Sequence, residues 1–138
     1  MMKKSKFFYL CCIICLFTIL GCSRNNEDKR VVGSNDEIVI SFVDDILNSN
    51  YTDLKYRYKF SGNIGETIRT GRFESILKPY FDQFGNFKEQ EQYYQTKSEQ
   101  FTSFVFPTHF ENESVNIVVI INQNQEIIDL NFESYQED

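Results

Sequence analysis

Apolar residues along this chain change their period once, and that change limits the fold to few classes. Apart from an ambiguous stretch over 51–60, they recur three and four apart from Ser34 to Gly85, and beyond Phe87 they mostly alternate. The first spacing lines one face of a helix and the second lines one face of a strand. Ile38, Val39, Phe42, Val43, Ile46 and Leu47 form the first helical stripe. Ser34-Asn35-Asp36-Glu37 stands ahead of it with the Ser-x-x-Glu spacing of a capping box. Asn48-Ser49-Asn50 ends it. Phe73, Ile76, Leu77, Tyr80, Phe81 and Phe84 form a second stripe, closed by Gly85 as a left-handed cap. Pro79 lies off this stripe, lacks an amide hydrogen and crowds the carbonyl of Ser75, which predicts a kink or a restart.

The stretch between the stripes is ambiguous. Thr52 suits a helix cap, yet Leu54, Tyr56, Tyr58 and Phe60 alternate. A short helix is expected there because the segment is brief and follows a helix end. Ser61 to Gly65 is expected to be a loop.

Four strand-like runs follow: Phe87 to Lys97, Phe101 to Phe110, Ser114 to Asn122 and Glu126 to Ser134. Short polar links join them, which predicts an antiparallel meander. Helices first and strands second define an α+β domain, with N-terminal helices packed on a four-stranded antiparallel sheet.

The N-terminus has a different character. Lys3, Lys4 and Lys6 precede Phe7 to Gly21, a run of 15 residues without a charge. A membrane-spanning helix needs about 20 residues, so the run suits the apolar region of a secretion signal. It closes on Ile19-Leu20-Gly21-Cys22, which resembles the lipobox of bacterial lipoproteins. The resemblance implies cleavage before Cys22 and a diacylglyceryl group on its sulfur. Two acyl chains suffice for stable anchoring. An uncleaved anchor and an ordinary signal peptide are the other readings of the same run.

The expected organisation is therefore a signal peptide over 1–21, a lipidated cysteine and tether over 22–35, and one globular domain over 36–138. The expected address is the extracytoplasmic face of a bacterial cell membrane, reached through lipid on Cys22. Cysteine usage agrees. Cys11, Cys12 and Cys15 lie inside the signal, so the mature chain keeps Cys22 alone and forms no internal disulfide. Loss of the three lysines moves the formal charge from −6 to −9. Such a balance argues against nucleic acid as a partner, and against direct adhesion to anionic headgroups.

Three segments of the domain carry a second resemblance. They are Phe42 to Tyr51, then Phe84-Gly85-Asn86-Phe87-Lys88, and then a third made of Phe110-Glu111-Asn112, Val115 to Ile121 and Gln125 to Phe132. They resemble the opening helix, the helix-ending step and the last hairpin of the family known as domain of unknown function 3887. The resemblance spans roughly Glu37 to Phe132. It implies a nuclear-transport-factor-2-like, or cystatin-like, α+β roll, in which a curved sheet wraps helices and leaves a cone-shaped cavity. It brings no functional residues with it.

Few residues suggest chemistry. His109 is the only histidine, and a general base is conceivable there. A solvent-facing histidine at a strand end is the simpler expectation, since no Ser or carboxylate partner is evident. Asp44 and Asp45 point about 100° apart on a helix and are expected on its solvated face. Arg69 and Arg72 suit an anionic ligand, or ion pairs with Glu66 and Glu74. Lys55, Arg57 and Lys59 form the one local basic cluster, with lipid headgroups as its conceivable contact. Tyr56, Tyr58, Tyr93, Tyr94 and Phe104 suit either an apolar pocket or an ordinary core, and the core is the stronger expectation.

No phosphate loop, zinc spacing, nucleophile elbow or dinucleotide fingerprint is present, so no cofactor or metal is expected. These readings favour a tethered, non-catalytic binding or protein-interaction module, its partner an envelope protein or an apolar ligand. The alternative is an isomerase-like enzyme using the cavity. It needs an acid and a tyrosine donor converging there, and Tyr80, Asp82, Tyr94 and Asp129 are its candidates.

Overall fold

The structure, a computed structural model, describes residues 29–137. Cys22 and the proposed signal lie outside the described residues. Helix α1 spans Asn35–Leu47, α2 Leu54–Arg57, α3 Gly62–Arg69 and α4 Phe73–Phe84. Strand β1 is Lys59–Phe60, β2 Phe87–Gln90, β3 Tyr94–Lys97, β4 Phe101–Phe110, β5 Ser114–Asn122 and β6 Glu126–Ser134.

The capping box opens α1 as its sequence requires. Ser34 Oγ accepts from the Glu37 amide at 3.2 Å, and Glu37 Oε2 accepts from the Ser34 amide at 2.8 Å. Both free donors at the helix start are thereby satisfied. The stripe Ile38, Val39, Phe42, Val43 and Ile46 is buried. Helix α4 runs unbroken from Phe73 to Phe84 with Pro79 inside it. Its Gly85 cap has φ 80° and ψ −161°, an extended left-handed conformation that only glycine adopts readily.

The ambiguous middle resolves into both patterns. Leu54 to Arg57 is a turn of helix, and Lys59–Phe60 is a strand paired in parallel with Glu126 and Ile127. The expected loop at 61–65 is instead the start of α3. Gly65 inside it opposes a helix by about 1 kcal/mol, and Gly62 opens it with φ 69°. Ile64 and Ile68, one turn apart, are both buried, and burying such a side chain contributes about 1.5–3 kcal/mol. Burial wins.

The sheet also differs from the expected four antiparallel strands. It has six strands and is mixed, in the order β1-β6-β5-β4-β2, with β3 beside β2 along β4. The run from Phe87 to Lys97 lies along β4 in two pieces, because the register is interrupted at Glu91 to Tyr93. The parallel pair arises because α2 returns the chain to the outer edge of β6. The β4-β5-β6 meander stands as expected.

Alternation assigns the two faces of the sheet. Phe104, Phe106, Thr108 and Phe110 of β4 stand beside Val119, Ile117 and Val115 of β5, then Leu130 and Phe132 of β6. This inner face packs on the helices. Phe42, Phe104 and Phe106 are at most 2% exposed, and Phe84 packs within 5.3 Å of both Phe110 and Phe132. The space between sheet and helices is thus occupied by aromatic rings. Tyr58 and Phe104 belong to this core, and Tyr93 packs against Phe104 and Phe106.

Part of the segment read as tether already packs on the domain. Val31 donates its amide to Arg57 O at 2.8 Å and touches the core. Lys29 reaches Asp53, and Gln125 donates to Gly33 O.

Candidate functional site

The outer face of the sheet brings together residues the sequence leaves apart. His109 near the end of β4 pairs in register with Ser114 at the start of β5, across the Glu111-Asn112-Glu113 turn. Its Nδ1 lies 2.7 Å from Ser114 Oγ, and its Nε2 lies 2.9 Å from Glu91 Oε2. The Tyr135 ring stands edge-on over the imidazole at 5.0 Å. Hydrogen bonds from Tyr135 and then His109 hold the Glu91 carboxyl below its usual range. An ionised Glu91 only accepts, so Nε2 carries the proton when His109 is neutral. Nδ1 then accepts, and Ser114 donates to it.

His109 is therefore not the unpaired histidine expected. The partners were hidden because Glu91 lies in the strand interruption and Ser114 lies across a hairpin. The order Ser–His–Glu is that of an activated nucleophile. None of the five principal clefts includes Glu91, His109 or Ser114. Among the described residues the cluster lies on the strand surface, outside those clefts. It does hold Tyr135 against the sheet, so it serves as a clamp on the C-terminal tail.

Asp45 overturns a second expectation. It is 7% exposed, not solvated. Its Oδ2 accepts from Tyr58 OH at 2.6 Å and from Arg57 Nε at 2.8 Å. Asp44, its neighbour, is the exposed one, and its Oδ1 accepts from Asn48 Nδ2 at 3.2 Å. The expected basic cluster is divided accordingly. Arg57 is committed to Asp45, while Lys55 lies over the Tyr56 ring at 5.0 Å. Burial, and then the hydrogen bond to Asp45, push the Tyr58 hydroxyl well above its ordinary 10.0.

The four residues proposed for an enzyme do not converge. Tyr80 and Tyr94 are about half exposed, 48% and 54%. Tyr80 packs its ring on Phe132. Asp82 pairs with Lys78 one helical turn away, at 3.0 Å. Asp129 accepts from its neighbours Leu130 and Asn131. Tyr94 and Asp129 share the outer face, yet they sit on strands three spacings apart, about 14 Å.

Clefts lie around α2 and α3. One of about 210 Å³ includes Tyr51, Lys55, Arg69, Phe73 and Glu74. A second, of about 520 Å³, includes Lys55, Tyr58, Phe60, Glu66 and Arg69. The two share Lys55, Ile68 and Arg69. Arg72 donates to Thr70 Oγ1, and among the described residues it forms no ion pair. Among the described residues no group of acidic, Cys and His side chains could hold a metal, and no helix is long and apolar enough to cross a membrane.

Fold and surface together define a small α+β domain with an interior filled mainly by apolar side chains. The chain belongs to the family described as protein of unknown function (DUF3887), which it matches over residues 39–130. No curated protein and no solved structure matches it.

Proposed function

We propose that the protein is a lipid-anchored interaction module on the extracytoplasmic face of a bacterial membrane, held there through Cys22. The anchor rests on the charge-free run Phe7 to Gly21 between lysines and Gly21-Cys22. We read the fold as a member of the nuclear-transport-factor-2-like, or cystatin-like, rolls. Helix α1 under the inner face of the long β4-β5-β6 meander supports that reading.

The observation that carries a non-catalytic role is the aromatic filling between sheet and helices. Phe42, Phe84, Phe104 and Phe106 occupy the volume in which a roll of this kind would hold a small molecule. Binding then falls to the outer surface, which suits a protein of the envelope better than an apolar ligand. The isomerase-like alternative has no supporting geometry in Tyr80, Asp82, Tyr94 and Asp129.

Replacement of Cys22 by Ala tests the anchor. The altered protein should leave the membrane fraction or accumulate unprocessed, and unchanged fractionation with normal cleavage would sink the reading. An apolar fluorescent probe tests the filled interior. Stoichiometric, saturable binding by the fully folded domain would reopen the cavity as a ligand site.

A further inference from the structure

We infer that the face formed by α2, α3 and β1 lies against the phosphate-bearing headgroups of the membrane that holds the anchor. The inference rests on the lipid anchor at Cys22.

Charge in this domain is segregated. From Lys29 to Arg72 seven cations meet six carboxylates, and from Phe73 to Glu137 three cations meet eleven. The helical half is close to neutral, and the strands carry the acid. Two of the six carboxylates on the helical side are already engaged, Asp45 by Arg57 and Asp53 by Lys29. Arg30, Lys55, Lys59 and Arg69 are exposed and form no ion pair among the described residues. They surround two adjoining clefts. Lys55 and Arg69 share one, Arg30 and Lys59 share the next, and Tyr58 lies in the wall between them. Glu66 is the carboxylate in the first, and the second has none.

The entry of the chain selects this face. Val31 docks on Arg57, and Lys29 docks on Asp53, so the polypeptide reaches the fold beside α2. Seven residue steps separate Cys22 from Lys29. Even fully extended they reach about 24 Å. A domain of this size has a radius of gyration of about 13 Å. Travel around such a body to bring the strand edge to the bilayer is longer than the reach. The α2 side is therefore kept within about 24 Å of the lipid, while the opposite end of the fold is kept away from it.

Net charge of −9 opposes such contact only if it is evenly spread. At physiological salt the field of a charge is screened over about 8–10 Å, so headgroups beneath α2 feel the cations there and little of the distant strands.

The mature chain with Cys22→Ala, free of lipid, tests the contact apart from the anchor. Its co-sedimentation is measured with vesicles of phosphatidylcholine alone and with vesicles containing phosphatidylglycerol. Binding should require phosphatidylglycerol and weaken as salt rises. The pair Lys55→Glu and Arg69→Glu should lose roughly tenfold or more of it. The pair Lys88→Glu and Lys97→Glu, on the strand side, should lose little, and circular dichroism should show both pairs folded. Equal binding to both vesicles, no binding to either, or equal loss in the two pairs overturns the inference. Complete competition by millimolar inorganic phosphate overturns it too, in favour of a small phosphate site. Failure of the anchor shows separately, in the cell fractionation of Cys22→Ala, and leaves the vesicle result to stand alone.

Discussion

Asp45 and Tyr58 meet at 2.6 Å, carboxylate to hydroxyl, where the last turn of α1 passes the segment that leads into the sheet. Arg57 donates to the same oxygen at 2.8 Å. One buried acceptor thus ties the first helix to the polypeptide that turns toward β1. Asp45→Ala would leave the Tyr58 hydroxyl buried without its partner and Arg57 without its counter-charge. The loss should be about 3 kcal/mol, moderated by the partial exposure of Arg57. Asp45→Asn keeps an acceptor and should lose about 1 kcal/mol. Urea unfolding of the two variants checks the order. Equal losses would mean that the charge of Asp45, and not its capacity to accept a hydrogen bond, carries the contact.

The same pair sets an alkaline limit. The folded-state titration of Tyr58 lies above the 10.0 of a free tyrosine, through burial first and the hydrogen bond to Asp45 second. A group raised on folding contributes fully below its unfolded value and is lost as pH rises toward its folded one. Stability should therefore hold to about pH 10 and then decline. Tyr58→Phe should soften the decline without abolishing it, because Tyr51 and Tyr93 are raised as well. Denaturation midpoints between pH 9 and pH 12 read the difference.

Gly85 and Gly71 provide a contrast between strain and space. Both have positive φ, 80° and 73°. A Cβ on Gly85 would lie 2.8 Å from Asn112 Nδ2 and 3.1 Å from Glu111 Cβ, whereas one on Gly71 meets nothing within 4 Å. Gly71→Ala should lose about 1 kcal/mol from backbone conformation alone. Gly85→Ala should lose more, about 2–3 kcal/mol, since its ψ of −161° is also hostile to a side chain. Thermal unfolding of the two variants would expose the gap.

The tail clamp should open in acid. Glu91 is held below its usual value by Tyr135 and His109. Its contribution is therefore present above the unfolded value of 4.5 and is lost as pH falls through the folded one. Resonances of Tyr135 to Glu137 should move toward random-coil positions on that descent. Glu91→Gln should show them displaced already at neutral pH. Global stability should hardly change, because the clamp lies on an exposed surface. Tail resonances unmoved in Glu91→Gln would mean that something else fixes the tail.

Local patterns were legible wherever one face of an element is buried. The α1 stripe with Ser34 and Glu37, the α4 stripe with Gly85, and the β4-β5-β6 alternation could each be read residue by residue, because burial enforces a period. The middle was harder. Two glycines concealed α3, whose helix is stabilised by Ile64 and Ile68 reaching the core rather than by its own propensity. The single-residue spacing of Asp44 and Asp45 concealed which of them is inward.

What the sequence determined by itself was class, order and charge: helices before strands, one cysteine after the proposed cleavage, and an acid excess. Tertiary structure decided everything that depends on distant partners. It joined Glu91 and Ser114 to His109, gave Asp45 to Tyr58, placed Lys59–Phe60 beside β6 and gathered Lys55 with Arg69 beside the entering chain. Periodicity is a local consequence of burial, so it can be read along the chain. Partnership is set by strand register and helix packing, which bring together residues that no local pattern connects.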